Sequence, residues 1–273
     1  MTIPAWLTGR FGVEREAMRA ARPLPESPVQ RVPVLDAPQC AEICANVHAL
    51  RPFWTPREGK PCGFFTLGQA SYFDCRDPRE RREYLRRASD ANALLRARFA
   101  PLYEAVRRAL EAALAEPCAL TESYALPGFH IWLSAGVPRL DLFGRQRGAY
   151  ASVHFDLQYQ LLEPGRGAPP TAREALSFTL PLRLPCAGGG LNLWDIDYAD
   201  FLAAAARDRD VTPQRMSRSK PARRVVYAVG ELVLHSGHAL HQIAPVRRVR
   251  AGDERISLQG HALRTGEGWS LYW

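Results

Sequence analysis

A chain of 273 residues, 47% hydrophobic and 23% charged, has the balance of a soluble globular protein and the length to bury a sizeable core, which excludes a disordered or fibrous one. Its formal charge of +8 has arginine greatly outnumbering lysine, and with no nucleic-acid motif beside it the charge reads as a solvated surface, not a nucleic-acid-binding face. No apolar run approaches membrane-spanning length and the N-terminus lacks a basic stretch followed by an apolar one, so a cytoplasmic protein without membrane association is expected.

In chain order, residues 1 to about 35 hold scattered prolines (Pro23, Pro25, Pro28 and Pro33) and little periodicity, which predicts an irregular arm. Asp36 is placed to cap a helix running to about Leu50, with Cys40, Ile43, Val47 and Leu50 at helical spacing. The six cysteines include no C-x-x-C pair and fit reduced thiols, Cys40 and Cys44 packing as small apolar residues. Phe64-Phe65-Thr66-Leu67 follows a loop punctuated by proline and glycine and reads as a short strand. Asp77-Pro78-Arg79-Glu80 supplies a cap, a proline for the first helical position and a capping-box glutamate, so a helix is expected from here to about Glu116. Leu95, Phe99, Leu102, Val106, Leu110 and Ala113 form its apolar stripe, suited to covering a sheet. A break is expected near Ser89-Asp90 and a kink near Pro101.

After Pro117 short strand-like runs dominate: 130–133, 150–162, 176–184, 190–194, 224–229, 231–235, 239–246, 255–263 and 269–273. Glycine and proline turns separate them, with one short helix at about Tyr198 to Arg207. Short strands without intervening helices indicate an antiparallel sandwich or barrel. The Gly/Pro-rich run 163–171 and the basic run 207–223 are expected to be mobile. The whole chain is read as one domain, with arm and covering helices over 1–118 and a β core over 119–273.

The run Tyr150 to Tyr159 is read as an alternating strand, with Val153, Phe155, Leu157 and Tyr159 on one face and Ser152, His154, Asp156 and Gln158 on the other. His154-x-Asp156 offers two ligands to a hard or borderline metal and needs a third. His235, His238 and His241 compete for that place. Ser236-Gly237 looks like a turn, which sets His241 inside the following strand; His238, three residues away, would face the other side. Arg255, Ser257, Gln259 and His261 share a polar strand face, with Ile256 and Leu258 opposite. His130 and His48 read as structural or exposed, His261 and Gln158 as inward-facing polar groups. Asn192 and Trp194 are candidate pocket residues, with core packing favoured for Trp194, while Asp195 and Asp197 are better suited to capping than to metal binding.

His154-x-Asp156, His241 and Arg255-x-Ser257 together resemble the signature of the Fe(II)- and 2-oxoglutarate-dependent dioxygenases. Gly188-Gly189-Gly190-Leu191 and His241-x-Ile243-x-Pro245-Val246 resemble the turn and metal-histidine strand of their prolyl-hydroxylase-like branch. The likeness spans roughly residues 148 to 263. It implies a double-stranded β-helix, or jelly roll, with N-terminal helices packed on one sheet. It further implies His154, Asp156 and His241 as catalytic ligands of Fe(II), and Arg255 with Ser257 as binding groups for 2-oxoglutarate. The implied reaction uses O2 to hydroxylate an unactivated C–H bond of an amino acid, peptide or specialised metabolite, releasing succinate and CO2. The metal carboxylate Asp156 favours hydroxylation over halogenation; desaturation and ring formation stay open. The spacing from His241 to Arg255 is longer than the pattern, so an extended hairpin is expected near 247–254. A cupin-like metalloenzyme working without a keto acid is the alternative, but it has no need of Arg255-x-Ser257. A basic nucleic-acid-binding module is the non-enzymatic alternative.

Overall fold

The computed structural model describes residues 28–57, 63–134, 152–163, 170–245 and 250–273. The helix that Asp36 opens is α1 (Ala37–Ala49): the Asp36 carboxylate accepts from the Gln39 amide at 2.8 Å and the Gln39 side chain accepts from the Asp36 amide at 2.9 Å. That reciprocal pairing satisfies two amides left over at the first turn. Before it, residues expected to be irregular form an edge strand, β1 (Val29–Pro33). After it come the short strands β2 (Thr55–Pro56) and β3 (Phe64–Leu67), then the one-turn helix α2 (Ser71–Asp74).

The long helix α3 runs from Arg81 to Leu114. It starts later than expected, because Asp77 to Glu80 form a turn of their own: the Glu80 carboxylate accepts from the Arg76 amide and Asp77 from the Arg79 amide. No break occurs at Ser89-Asp90. The helix bends instead at Phe99 (φ −130°, ψ 22°), two residues before Pro101, where the missing N–H and the ring disrupt the preceding turn.

The rest is β4 (Cys118–Leu120), β5 (Gly128–Leu133), α4 (Tyr159–Leu162), β6 (Ala175–Arg183), β7 (Leu191–Asp197), α5 (Tyr198–Ala205), α6 (Pro213–Met216), β8 (Arg223–Val225), β9 (Glu231–Ser236), β10 (Ala239–Ile243), β11 (Glu254–Thr265) and β12 (Gly268–Tyr272). A nine-stranded sheet has the order β1-β9-β6-β11-β5-β3-β2, with β12 paired to β11 and β4 to the far side of β12. A three-stranded sheet, β10-β7-β8, faces it. This is the double-stranded β-helix, or jelly roll, with its helices on the larger sheet. Strand β11 is the spine: one edge pairs with β6, and the other with β5 in its first half and β12 in its second.

Alternation along β6 and β11 divides the molecule. Leu180, Ile256 and Leu258 face outward and join Cys44 and Val47 of α1 and Leu95, Phe99, Val106 and Leu110 of α3 in one core. Each large apolar side chain buried there contributes about 1.5–3 kcal/mol. Ser177, Thr179, Arg255, Gln259 and His261 face the other way and line a cavity between the sheets.

From Ser152 on, the described part of the strand expected over 150–159 is not a strand. Residues 150 and 151 lie outside the described part, and from Ser152 onward only His154 pairs, in a single antiparallel bridge to His241. The chain then turns into α4. The run 164–169 also lies outside the described residues. The basic run 207–223 folds onto the small sheet: Thr212 caps α6, Gln214 donates to the Val153 carbonyl, and Met216 packs near Trp194. Among the described residues, no helix is long and apolar enough to cross a membrane.

Candidate active site

The cavity between the sheets has a volume of about 490 Å³. His154 and His241 enter it from backbones paired by two hydrogen bonds of 3.0 Å, and the Asp156 amide donates to the Gly237 carbonyl at 2.8 Å. The polypeptide thus pins all three side chains to the β9–β10 hairpin without a continuous strand. His241 Nε2 lies 3.2 Å from Asp156 Oδ2, and His154 Nε2 lies 3.5 Å from Asp156 Oδ1. One donor atom from each residue falls within 4.8 Å of the others.

The imidazoles are oriented for coordination. His154 Nδ1 donates to the Ser152 carbonyl at 2.6 Å and His241 Nδ1 to the Ala239 carbonyl at 2.8 Å. A carbonyl only accepts, so each Nδ1 carries hydrogen, which leaves Nε2 as the atom that each ring would offer to a metal at the centre. Burial alone would raise the Asp156 carboxyl, but the His241, His261 and His154 rings outweigh it and hold it well below the usual carboxylate range. For His241, burial opposes charge, yet the Asp156 carboxylate prevails and raises its pKa. Two nitrogen donors and an anionic oxygen on one side of a common point fit a borderline divalent metal such as Fe(II).

Arg255 is 5% exposed and lines the same cavity. Its Nε and Nη2 are buried without a hydrogen-bond partner. Among the described residues this buried cation has no partner for those two nitrogens, which is expensive, so the guanidinium suits an anionic ligand. The Gly188–Gly190 turn lies against it. Gly189 has φ +73°, and a Cβ there would sit 3.4 Å from Arg255 Cδ. Ser257 follows on the same strand face, fully buried and with its hydroxyl unpartnered, but it is not among the residues lining the cavity.

Several wall residues lie outside the expected ligand and keto-acid set, some of them unforeseen and some, such as His235 and Gln158, expected near the cavity. His130 is neither exposed nor remote: it lines the cavity and hydrogen-bonds the Tyr72 hydroxyl. Its place could be read from Phe129 and Ile131, whose outward phase turns His130 inward. Tyr72 carries no comparable signal, because α2 reaches the site only through tertiary packing. His235 also lines the cavity, with its ring centroid 4.6 Å from that of His241. Ser177 donates to Asp156 Oδ2 at 2.6 Å, and Gln158 donates to Asp156 Oδ1 at 3.1 Å. The alternation Leu176-Ser177-Phe178-Thr179-Leu180 carried the signal for Ser177.

Phe155, assigned to the face opposite His154, lines the cavity too and packs on Tyr198 and Phe201 of α5. His238 turns away from the triad and pairs with the Tyr159 hydroxyl at 2.8 Å. Asn192 pairs with Gln242, Trp194 packs under the small sheet, and Asp197 caps α5. The arginines of 207–223 do not reach the cavity wall.

No family model and no curated protein matches the sequence. Among solved structures, the chain is similar to an N-substituted L-amino acid dioxygenase from Burkholderia ambifaria AMMD, at 14% identity over 91% of this chain and 87% of that one, with a TM-score of 0.52. The two share a fold. Looser likenesses, which carry no argument, are to a prolyl-4-hydroxylase from Pseudomonas putida (18% identity, 88% and 95% of the two chains, TM-score 0.36) and to the non-heme alpha ketoglutarate dependent epimerase SnoN from nogalamycin biosynthesis (15%, 89% and 93%, TM-score 0.45).

Proposed function

We propose that the protein is a non-haem Fe(II)- and 2-oxoglutarate-dependent oxygenase that hydroxylates an unactivated C–H bond of an amino acid, a peptide or a specialised metabolite. The observation that carries this reading is Arg255, a buried guanidinium with two unpartnered nitrogens in the cavity that His154, Asp156 and His241 also line. A metal triad alone suits many enzymes; the triad with a buried, unpaired cation calls for a metal and a dianion together.

His154, Asp156 and His241 would hold the iron and leave its remaining positions to ligands. Arg255 would bind the distal carboxylate of 2-oxoglutarate through charge-assisted hydrogen bonds, with the Ser257 hydroxyl as a further donor. When bound, iron and keto acid would activate O2, the oxidant: one oxygen atom would pass to succinate as the keto acid loses CO2, and the other to the substrate carbon. The protein's part is orientation and exclusion. Ser177 and Gln158 fix the carboxylate of Asp156. Phe64, Phe73, Trp132 and Phe155 give the cavity an apolar wall that keeps water from the reacting carbon.

Anaerobic protein given Fe(II) and then 2-oxoglutarate is expected to develop a weak visible charge-transfer band, and to release succinate once air is admitted. Bound metal with neither band nor succinate would overturn the reading.

A further inference from the structure

We infer that His261 is a positioning residue for the metal site, acting through Ser177 on Asp156; the inference rests on the reading of Asp156 as a metal ligand. Ser177 has one hydroxyl hydrogen. It is committed to Asp156 Oδ2 at 2.6 Å, because a carboxylate only accepts. His261 Nδ1 lies 3.2 Å from the same Ser177 oxygen and 3.8 Å from Asp156 Oδ2, so Ser177 and not the carboxylate is within its hydrogen-bond reach. With its hydrogen spent, that oxygen can only accept, so Nδ1 is the nitrogen that carries hydrogen. The other nitrogen, Nε2, is buried without a partner. As a bare acceptor it is a smaller defect than an orphaned N–H, which favours the same tautomer. A directed relay follows: His261 donates to Ser177, and Ser177 donates to Asp156.

The fold sets the spacing of this relay. His261 on β11 and Ser177 on β6 are register partners. The Asp156 backbone is tied to Gly237, and the Gly237 amide donates to the Ala175 carbonyl, two residues before Ser177. A side chain at Gly237 would meet the Asp156 carbonyl at 3.1 Å and Ser177 Oγ at 3.4 Å, so glycine permits this close approach. A serine hydroxyl alone rotates freely. His261 occupies the acceptor side of Ser177 and holds its hydrogen on Oδ2. Gln158 holds Oδ1, so the carboxylate is fixed from both oxygens. Outer-shell partners of this kind govern metal affinity.

The test is a Co(II) titration of the full-length protein, followed by visible absorption, with folding checked by thermal melting. Wild type should bind. Ser177→Ala and His261→Phe should each weaken binding by about 10- to 100-fold. The double variant should be no weaker than the weaker single, since both break one chain. His261→Gln, whose amide can donate to Ser177, should recover most of the affinity, and in the Ser177→Ala background it should change nothing. The relay is overturned if His261→Phe and His261→Gln bind Co(II) alike, or if the losses at the two positions multiply. Should His261→Phe not fold, the His261→Gln measurements with and without Ser177 decide the point alone. Wild type that fails to bind Co(II) would overturn the metal reading itself, and the relay with it.

Discussion

On the proposed function, Arg255 is the residue on which recognition of the keto acid would turn. Its guanidinium is held beneath the Gly188–Gly190 turn with two nitrogens unpaired, so an anion gains charge-assisted hydrogen bonds without rearranging the site. Truncating one partner of a buried charge pair costs about 2–5 kcal/mol. Arg255→Ala is therefore expected to weaken 2-oxoglutarate binding by at least about 30-fold while metal affinity stays near wild type, as read by calorimetric titration of each ligand. Equal loss of both would show that Arg255 supports the triad instead. The spacing His-x-Asp, the turn before His241 and the polar face of 255–261 are all local patterns, so these residues were legible from sequence. Ser177 and His130 were legible only in principle, since their role appears when two strand phases are set against each other. Tyr72 depends on which elements meet across the cavity, and no local pattern encodes that, whereas His235 stands out in the sequence by its place just before the Ser236-Gly237 turn.

At the scale of elements, the strands were legible wherever apolar and polar residues alternate beside a covered face, as in β6 and β11. The failures have physical causes. Residues 29–33 lack a pattern because β1 is an edge strand, held by β9 on one side only. Residues 152–158 alternate in sequence, yet three backbone hydrogen bonds to the β9–β10 hairpin replace a ladder. The opening of β5 illustrates a packing constraint that sequence alone leaves hidden. A Cβ on Gly128 would lie 2.1 Å from the Trp273 ring and 2.8 Å from the Leu67 carbonyl, and Trp273 is fully buried. Gly128→Ala should thus destabilise the protein by about 1–3 kcal/mol through overpacking, seen as a lower urea midpoint. An unchanged midpoint would mean that the terminal tryptophan moves aside freely.

At the scale of the whole molecule, the fold keeps several histidines neutral inside. Burial pushes His235 down to about 3, with the neighbouring His241 adding to it, and burial pushes His238 down to about 4. In the unfolded chain such rings titrate near about 6.5. Between those values the unfolded state holds the proton and the folded state does not, so stability rises with pH across that window. Their contribution is complete above about pH 6.5 and is lost on acidification, at up to about 1.4 kcal/mol per pH unit for each ring. His241, raised in the fold, runs the opposite way. The metal-free protein should melt at progressively lower temperature from pH 7 to pH 5, and His238→Gln should flatten the slope; a level profile in the wild type would mean that these rings are not held neutral.

The jelly roll supplies two faces of one cavity: the larger sheet brings Arg255, and the hairpin at the smaller sheet brings His241 with His154 and Asp156 pinned against it. A crystal structure of the protein grown without oxygen with Mn(II) and 2-oxoglutarate tests that arrangement directly. The metal is expected between His154 Nε2, Asp156 and His241 Nε2, and the distal carboxylate of the keto acid on Arg255. Metal bound at other residues, or a keto acid whose carboxylate leaves Arg255 unpaired, would contradict it.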